Sequence, residues 1–168
     1  LYSILLSIPI GIALGIWAAL KKNTWLDYTI STLTMVVISV PSFVFAFLIQ
    51  YFLSYKLGWF PFLMKEGTDW FSWSMFVSML PAVLASSFGT IAGFTRTTRA
   101  ELTEVLTSEF MLLARTKGLT RAQATIRHAM KNCMVVILPA IFGSFISIMS
   151  GSLIIEKIFA IPGVGNLY

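Results

Sequence analysis

The sequence predicts an all-α integral membrane fold, a polytopic helix bundle, on three observations. Of its 168 residues 57% are hydrophobic and only 11% charged, and the mean hydropathy is +0.85; a soluble domain of this size carries about twice that charge density. Four runs free of charge, 1–20, 28–55, 70–95 and 132–155, are each long enough to cross a hydrocarbon core, which takes about 20 helical residues. Ten-residue segments of alternating hydrophobicity, the mark of a transmembrane barrel, are not visible.

The first run has no basic flank before it and no small-residue cleavage site, so it reads as a span and not as a signal peptide. The sequence is expected to be an excerpt of a longer protein, cut inside or just before a helix. Gly11 and Gly15, four residues apart, would let a neighbouring helix come close, as would Gly89 and Gly93 in the third run. The second run reads as one span over 28–55, with Pro41 between Ser39 and Ser42, whose hydroxyls can satisfy the carbonyl that proline frees. A packing kink and a flexible point lining a pathway are both open readings of Pro41. Pro9, Pro81 and Pro139 also fall within runs. The third span is placed at 71–95 and the fourth at 132–155, within a single transmembrane domain covering 1–168. Trp25 and Tyr28 gather at one interface, and Tyr55, Trp59, Phe60, Trp70 and Trp73 at the other, as aromatic belts do at headgroup depth.

Orientation follows from the basic residues. Nine (Lys21, Lys22, Arg96, Arg99, Arg115, Lys117, Arg121, Arg127 and Lys131) fall on one side and three (Lys56, Lys65 and Lys157) on the other. The positive-inside rule puts the nine in the cytoplasm. The same count explains the net charge of +5, so nucleic-acid binding needs no place in the account.

The polar segment 96–131 is too long for a turn. Leu102, Val105, Leu106, Phe110 and Leu113 recur at steps of three and four, which spells one apolar stripe on one helix. Gly118 interrupts it where a residue able to take positive φ would end a helix. Thr120 and Gln123 have the spacing of a capping box that opens a second, short helix. Taken alone, this segment reads equally as an amphipathic helix held by lipid or as a protein-docking element.

A set of motifs bears on that choice. Glu109, Phe110, Ala114, Arg115, Lys117, Gly118, Leu119 and Thr120 are followed by Arg127, His128, Ala129 and Asn132. That spacing resembles the cytoplasmic coupling loop of ABC importer permeases, and within them the peptide-importer branch. Arg96 to Arg99 with Glu104, Val105 and Leu106 resembles the approach to that loop. Ser39-Val40-Pro41-Ser42-Phe43 resembles a motif of an earlier span. Glu156, Phe159, Pro162, Gly163 and Gly165 resemble a Glu-x-x-Phe-x-x-Pro-Gly-x-Gly turn after a later one. Two departures stand out. The general family's Glu-Ala-Ala triplet reads Leu112-Leu113-Ala114, as is usual in the peptide branch, and Val136 stands where a proline is usual, with Pro139 three residues later.

The resemblance implies a type I ABC importer permease fold, with a first and a last span outside this sequence. It implies that the 96–131 segment is a coupling helix packing into a cytoplasmic ATP-binding subunit. Glu109, Ala114, Arg115, Lys117, Gly118, Leu119 and His128 would be the coupling residues. Glu156, Phe159, Pro162, Gly163 and Gly165 would form an external gate or turn. Ser39, Pro41, Ser42 and Ser147 are candidate pathway-lining residues, with Gln50, Ser144 and Ser150 beside them. The implied partners are a second homologous permease subunit, ATP-binding subunits, an external solute-binding protein and membrane lipid. The setting is the cell membrane, crossed several times.

The chain has no Gly-x-x-x-x-Gly-Lys-[Ser/Thr], so ATP and Mg are expected on the partner ATPase and no cofactor on this chain. One histidine, one cysteine and no acid inside the runs leave no catalytic set for an intramembrane enzyme and no metal site. An ion-coupled carrier would place Asp, Glu or Arg within its spans. His128 reads as an interfacial histidine, and Cys133 as a small apolar side chain. The solute is left open between peptides and chelates of nickel or another metal, and a membrane scaffold with a lipid-binding loop is the remaining alternative.

Overall fold

A computed structural model describes residues 1–64, 72–116, 118–149 and 152–163. Among them every regular element is helical. Helix α1 (Tyr2–Leu20) is apolar on all sides. It lies along α4 (Trp73–Thr107) where glycine removes the side-chain bulk between the two backbones. A Cβ on Gly11 would stand 2.7 Å from the Phe94 Cβ, too close for any residue but glycine. Gly89 and Gly93 behave differently, since a Cβ on either would meet nothing within 4 Å.

The run 28–55 is not one straight helix. Helix α2 (Trp25–Ser39) and helix α3 (Ser42–Ile49), which continues as a π-helical stretch (Gln50–Lys56), meet at 94°. Pro41 causes the break. Its ring disfavours the helical region for the residue before it, and Val40 is extended at φ −94°, ψ 124°. Pro41 itself, at φ −58° and without an N–H, stands at the head of α3. The proline is thus a corner between two helices, sharper than a packing kink.

Helix α4 is the mast of the bundle. It runs unbroken for 35 residues, about 52 Å at 1.5 Å per residue, and α1, α2, α3, α7 and α8 all pack on it. Its start is capped by Ser72, whose hydroxyl accepts the Met75 N–H. It does not stop at 95, where the apolar run ends, but carries Arg96, Arg99, Glu101 and Glu104 onward as helix to Thr107. Beyond it lie α5 (Glu109–Thr116) and α6 (Arg121–Ala124), the latter continued by a π-helical turn (Thr125–Ala129). Then come α7 (Met130–Met149) and α8 (Leu153–Phe159). The run 132–155 is therefore divided between α7 and α8.

Two apolar clusters hold these helices. One joins Ala19, Phe94, Leu102, Met111, Ala129, Cys133 and Ile137, at the hairpin end of α4. The other joins Ala46, Ile49, Ala82, Ala85, Ile155 and Phe159, nearer the start of α4. Large apolar side chains on the outer faces, such as Leu33 and Val36 on α2 and Val135, Phe142 and Ile146 on α7, are exposed. Helices α1, α4 and α7 have the length and apolarity to cross a membrane, and the bent α2–α3 pair makes a fourth candidate.

Candidate functional site

The segment after α4 is a small helical hairpin. Ser108 breaks the chain between α4 and α5 with an extended backbone, φ −73° and ψ 154°. Its hydroxyl donates to the Val105 carbonyl at 2.6 Å, satisfying one free carbonyl at the end of α4. This break overturns the reading of 102–113 as one helix with one stripe. Leu102 keeps its inward place, but the change of direction at Ser108 turns Met111 into the core and leaves Leu113 60% exposed.

Gly118 follows at φ +80°, a conformation that costs residues with a Cβ. The second helix opens with a reciprocal cap, as its spacing predicted. The Gln123 N–H donates to the Thr120 hydroxyl at 3.3 Å, and the Thr120 N–H donates to the Gln123 side-chain oxygen at 3.1 Å. Leu119, half-buried, packs on the Leu102–Met111 cluster, and His128 is half-buried in the π-helical turn. Ala114 and Arg115 lie on α5, and Glu109 is exposed at its start. Lys117 lies outside the described residues. Ile126, which the sequence did not single out, is 70% exposed. With Leu113 it gives the hairpin two outward apolar side chains, an arrangement suited to contact with another surface.

The Glu156-to-Gly163 motif closes α8. Ala160 takes the left-handed conformation at φ 52°, and the Ile161 N–H returns to the Glu156 carbonyl at 2.9 Å. Phe159 is fully buried in the cluster with Ala46 and Ile155. The Glu156 carboxylate accepts the Ser152 N–H at 3.3 Å and lies against Gly163, where any Cβ would overlap it. Pro162 is exposed on the outside of this turn, and Gly165 lies outside the described residues. Gln50, read as a pathway candidate, is a buried tie instead. Its amide donates to the carbonyls of Phe62 and Ile158, each at 3.0 Å.

The other pathway candidates are not brought together. Ser39 donates to the Met35 carbonyl at 2.8 Å, the ordinary fate of a helical serine. Pro41 and Ser42 are exposed at the corner, and Ser147 is exposed on α7, which packs on α4 and α1 while α3 packs on α4 and α8. Ser150 lies outside the described residues. Of the group only Ser144 lines a cavity, an open groove of about 330 Å³ between α4 and α7 whose other walls include Gly89, Thr90, Gly93, Thr97 and Ala140.

A further feature lay outside the sequence reading. Arg99 on α4 pairs with Asp27 at the start of α2, through Nε to Oδ1 and through Nη2 to Oδ2 at 2.8 Å. Asp27 is wholly buried. A two-point contact of this kind fixes direction as well as distance.

The sequence pattern of the family described as "binding-protein-dependent transport system inner membrane component" matches residues 11–168. Among curated relatives, the oligopeptide transport system permease protein OppB of Salmonella typhimurium is 38% identical over 164 residues, 98% of this chain and 52% of the relative. The dipeptide transport system permease protein DppB of Bacillus subtilis is 32% identical over 166 residues, 99% of this chain and 51% of the relative. DppB of Lactococcus lactis is 36% identical over 163 residues, 97% of this chain and 51% of the relative. The chain thus spans about half the length of the curated relatives it matches.

Proposed function

The chain belongs to the family of binding-protein-dependent transport system inner membrane components, and from that premise we propose that it forms part of the membrane path of an ATP-driven importer of peptides. The peptide substrate is suggested by the printed names of the relatives, which are oligopeptide and dipeptide permeases. A cytoplasmic ATPase subunit supplies the energy, and the α5–Gly118–α6 hairpin is its contact. Glu109, Ala114, Arg115, Lys117, Gly118, Leu119 and His128 make up that contact, with Leu113 and Ile126 beside them.

The observation that carries this reading is the hairpin itself. It is capped at both bends, anchored by Met111, and turns Leu113 and Ile126 outward. Its root is α4, an uninterrupted helix on which the other long helices pack. A push on the hairpin is therefore delivered to the whole bundle, the mechanical requirement for rocking helices between inward-open and outward-open states. A second permease subunit completes the path, and an external binding protein delivers the solute to the side that carries the Glu156–Gly163 turn.

The test is uptake of labelled short peptides by cells lacking this subunit, restored with full-length wild type or with Gly118→Asp. The expected result is that wild type restores uptake while the variant inserts normally and does not. Failure of wild type overturns the peptide substrate and directs the assay to metal chelates. Full activity of Gly118→Asp overturns the coupling role and leaves the hairpin as a lipid-bound scaffold.

A further inference from the structure

The polar tie between α2 and α4 is denser than a surface ion pair. Both oxygens of the buried Asp27 carboxylate are occupied. Oδ1 takes Arg99 Nε and the Ser31 hydroxyl at 3.4 Å, and Oδ2 takes Arg99 Nη2 at 2.8 Å and the Asn23 N–H at 3.0 Å. The turn between α1 and α2 is folded over the carboxylate to make the last bond. It does so with Asn23 at φ 64°, a conformation that asparagine tolerates better than most residues.

The positions of the two partners give the tie a direction. Arg99 stands about two helical turns before the end of α4, with no proline or break between it and Thr107. Just past that end, Met111 of the hairpin packs with Leu102. Just before Arg99, Thr98 meets Gly15 of α1. The lower half of α4, α1 and the start of α2 are thereby joined into one body. Helix α2 continues unbroken from Asp27 to Ser39 and then ends at the corner, where no side chain caps the start of α3. Removing Arg99 would leave the buried Asp27 carboxylate without its cation, whereas the Arg99 side chain is partly exposed.

We infer that Asp27 and Arg99 are positioning residues of the transport step, a clamp that carries hairpin displacement from α4 into α2, with the Val40–Pro41 corner absorbing the motion. The inference rests on the reading of the hairpin as the ATPase contact. Neither residue touches solute. Without the clamp, ATP is hydrolysed but the α2–α3 corner no longer follows α4.

The experiment uses the full-length permease with its partner permease, ATPase subunits and binding protein in proteoliposomes, comparing wild type with Asp27→Asn and Arg99→Lys. Asp27→Asn keeps size, and Arg99→Lys keeps charge but loses the two-point contact. Two quantities are read: solute taken up per ATP hydrolysed, and the spin-label distance distribution between exposed positions 22 and 107 without ATP. The expected result is ATP hydrolysis within about twofold of wild type, uptake per ATP lowered about tenfold in Asp27→Asn and less in Arg99→Lys, and a broadened distance distribution in both. Unchanged uptake per ATP in assembled variants overturns the inference, as does an unchanged distance distribution in both. If Asp27→Asn does not assemble, Arg99→Lys decides. A wild type without ATP-dependent uptake of any solute sinks the importer reading instead, while the distance measurement still judges the clamp.

Discussion

Gly15 is packed against Thr98 so closely that a Cβ on the glycine would stand 2.6 Å from the Thr98 Cβ and 2.7 Å from the Thr95 carbonyl oxygen. The carbonyl belongs to the α4 backbone and cannot move aside by changing rotamer, so a larger residue must push the helices apart. Gly15→Leu is expected to cost about 1–3 kcal/mol, the usual range for overpacking. Thermal unfolding of the purified full-length permease should show a lower midpoint. Gly93→Leu is the contrasting variant, because a Cβ there meets nothing within 4 Å. Its midpoint should match wild type, and equal loss at both positions would mean that the α4–α7 groove is filled by a neighbour.

Gly118 separates conformational from spatial need. Its φ of +80° excludes β-branched residues, yet no described atom beyond its chain neighbours lies within 4 Å of the place a Cβ would take. Asparagine enters the left-handed region easily, while other residues lose about 1–2 kcal/mol there. Gly118→Asn should leave the unfolding midpoint unchanged and Gly118→Val should lower it. If the hairpin is the ATPase contact, both should weaken co-purification of the ATPase subunit, because a side chain at the turn would enter that contact. Retention of the ATPase by Gly118→Asn would show that only the turn conformation matters.

Residues that act within a few positions of one another were legible in sequence. The Thr120–Gln123 cap and the glycine turn are local patterns, and the structure contains both. The apolar runs were also legible, since composition alone decides what can enter lipid. Long-range geometry was not. Nothing near Asp27 announces Arg99, which lies 72 positions away. The Ser108 break escaped notice because Leu102 to Leu113 keeps a helical period across it, and period cannot register a change of helix direction. Pro41 was seen, but one proline reads the same in sequence whether a helix bends around it or turns through 94°. Gln50 looked like a polar lining group because the carbonyls it serves belong to Phe62 and Ile158, a distant loop and helix.

Ile126 and Leu113 test the hairpin as a docking surface. They are 70% and 60% exposed and make no part of the Leu102–Met111 cluster. Changing them to aspartate should therefore leave insertion and thermal stability intact, since exposed substitutions usually change stability by no more than about 0.5 kcal/mol. If the hairpin enters a cleft of the ATPase, each aspartate carries an unpaired charge into that contact. Co-purification of the ATPase with the assembled complex should then fall about tenfold or more, the size of effect seen for residues near the centre of an interface. Normal ATPase retention in the double variant would remove these two residues from the contact.

Gln50 gives the sharpest contrast between a structural and a transport role. Its amide is the side-chain donor to two carbonyls, one in the 57–64 loop and one in α8. Gln50→Leu preserves much of the volume but leaves both carbonyls without that donor, at a cost of about 1–3 kcal/mol for each that stays buried and unmet. The unfolding midpoint should fall, and protease should cut the 57–64 loop faster, because only the backbone bond from Met64 N–H to the Phe159 carbonyl would be left among the described hydrogen bonds from this loop to α8. Solute preference should not change, since the side chain is only 6% exposed. A variant with wild-type stability and an altered order of preference among peptides would reverse the assignment and return Gln50 to the wall of the pathway.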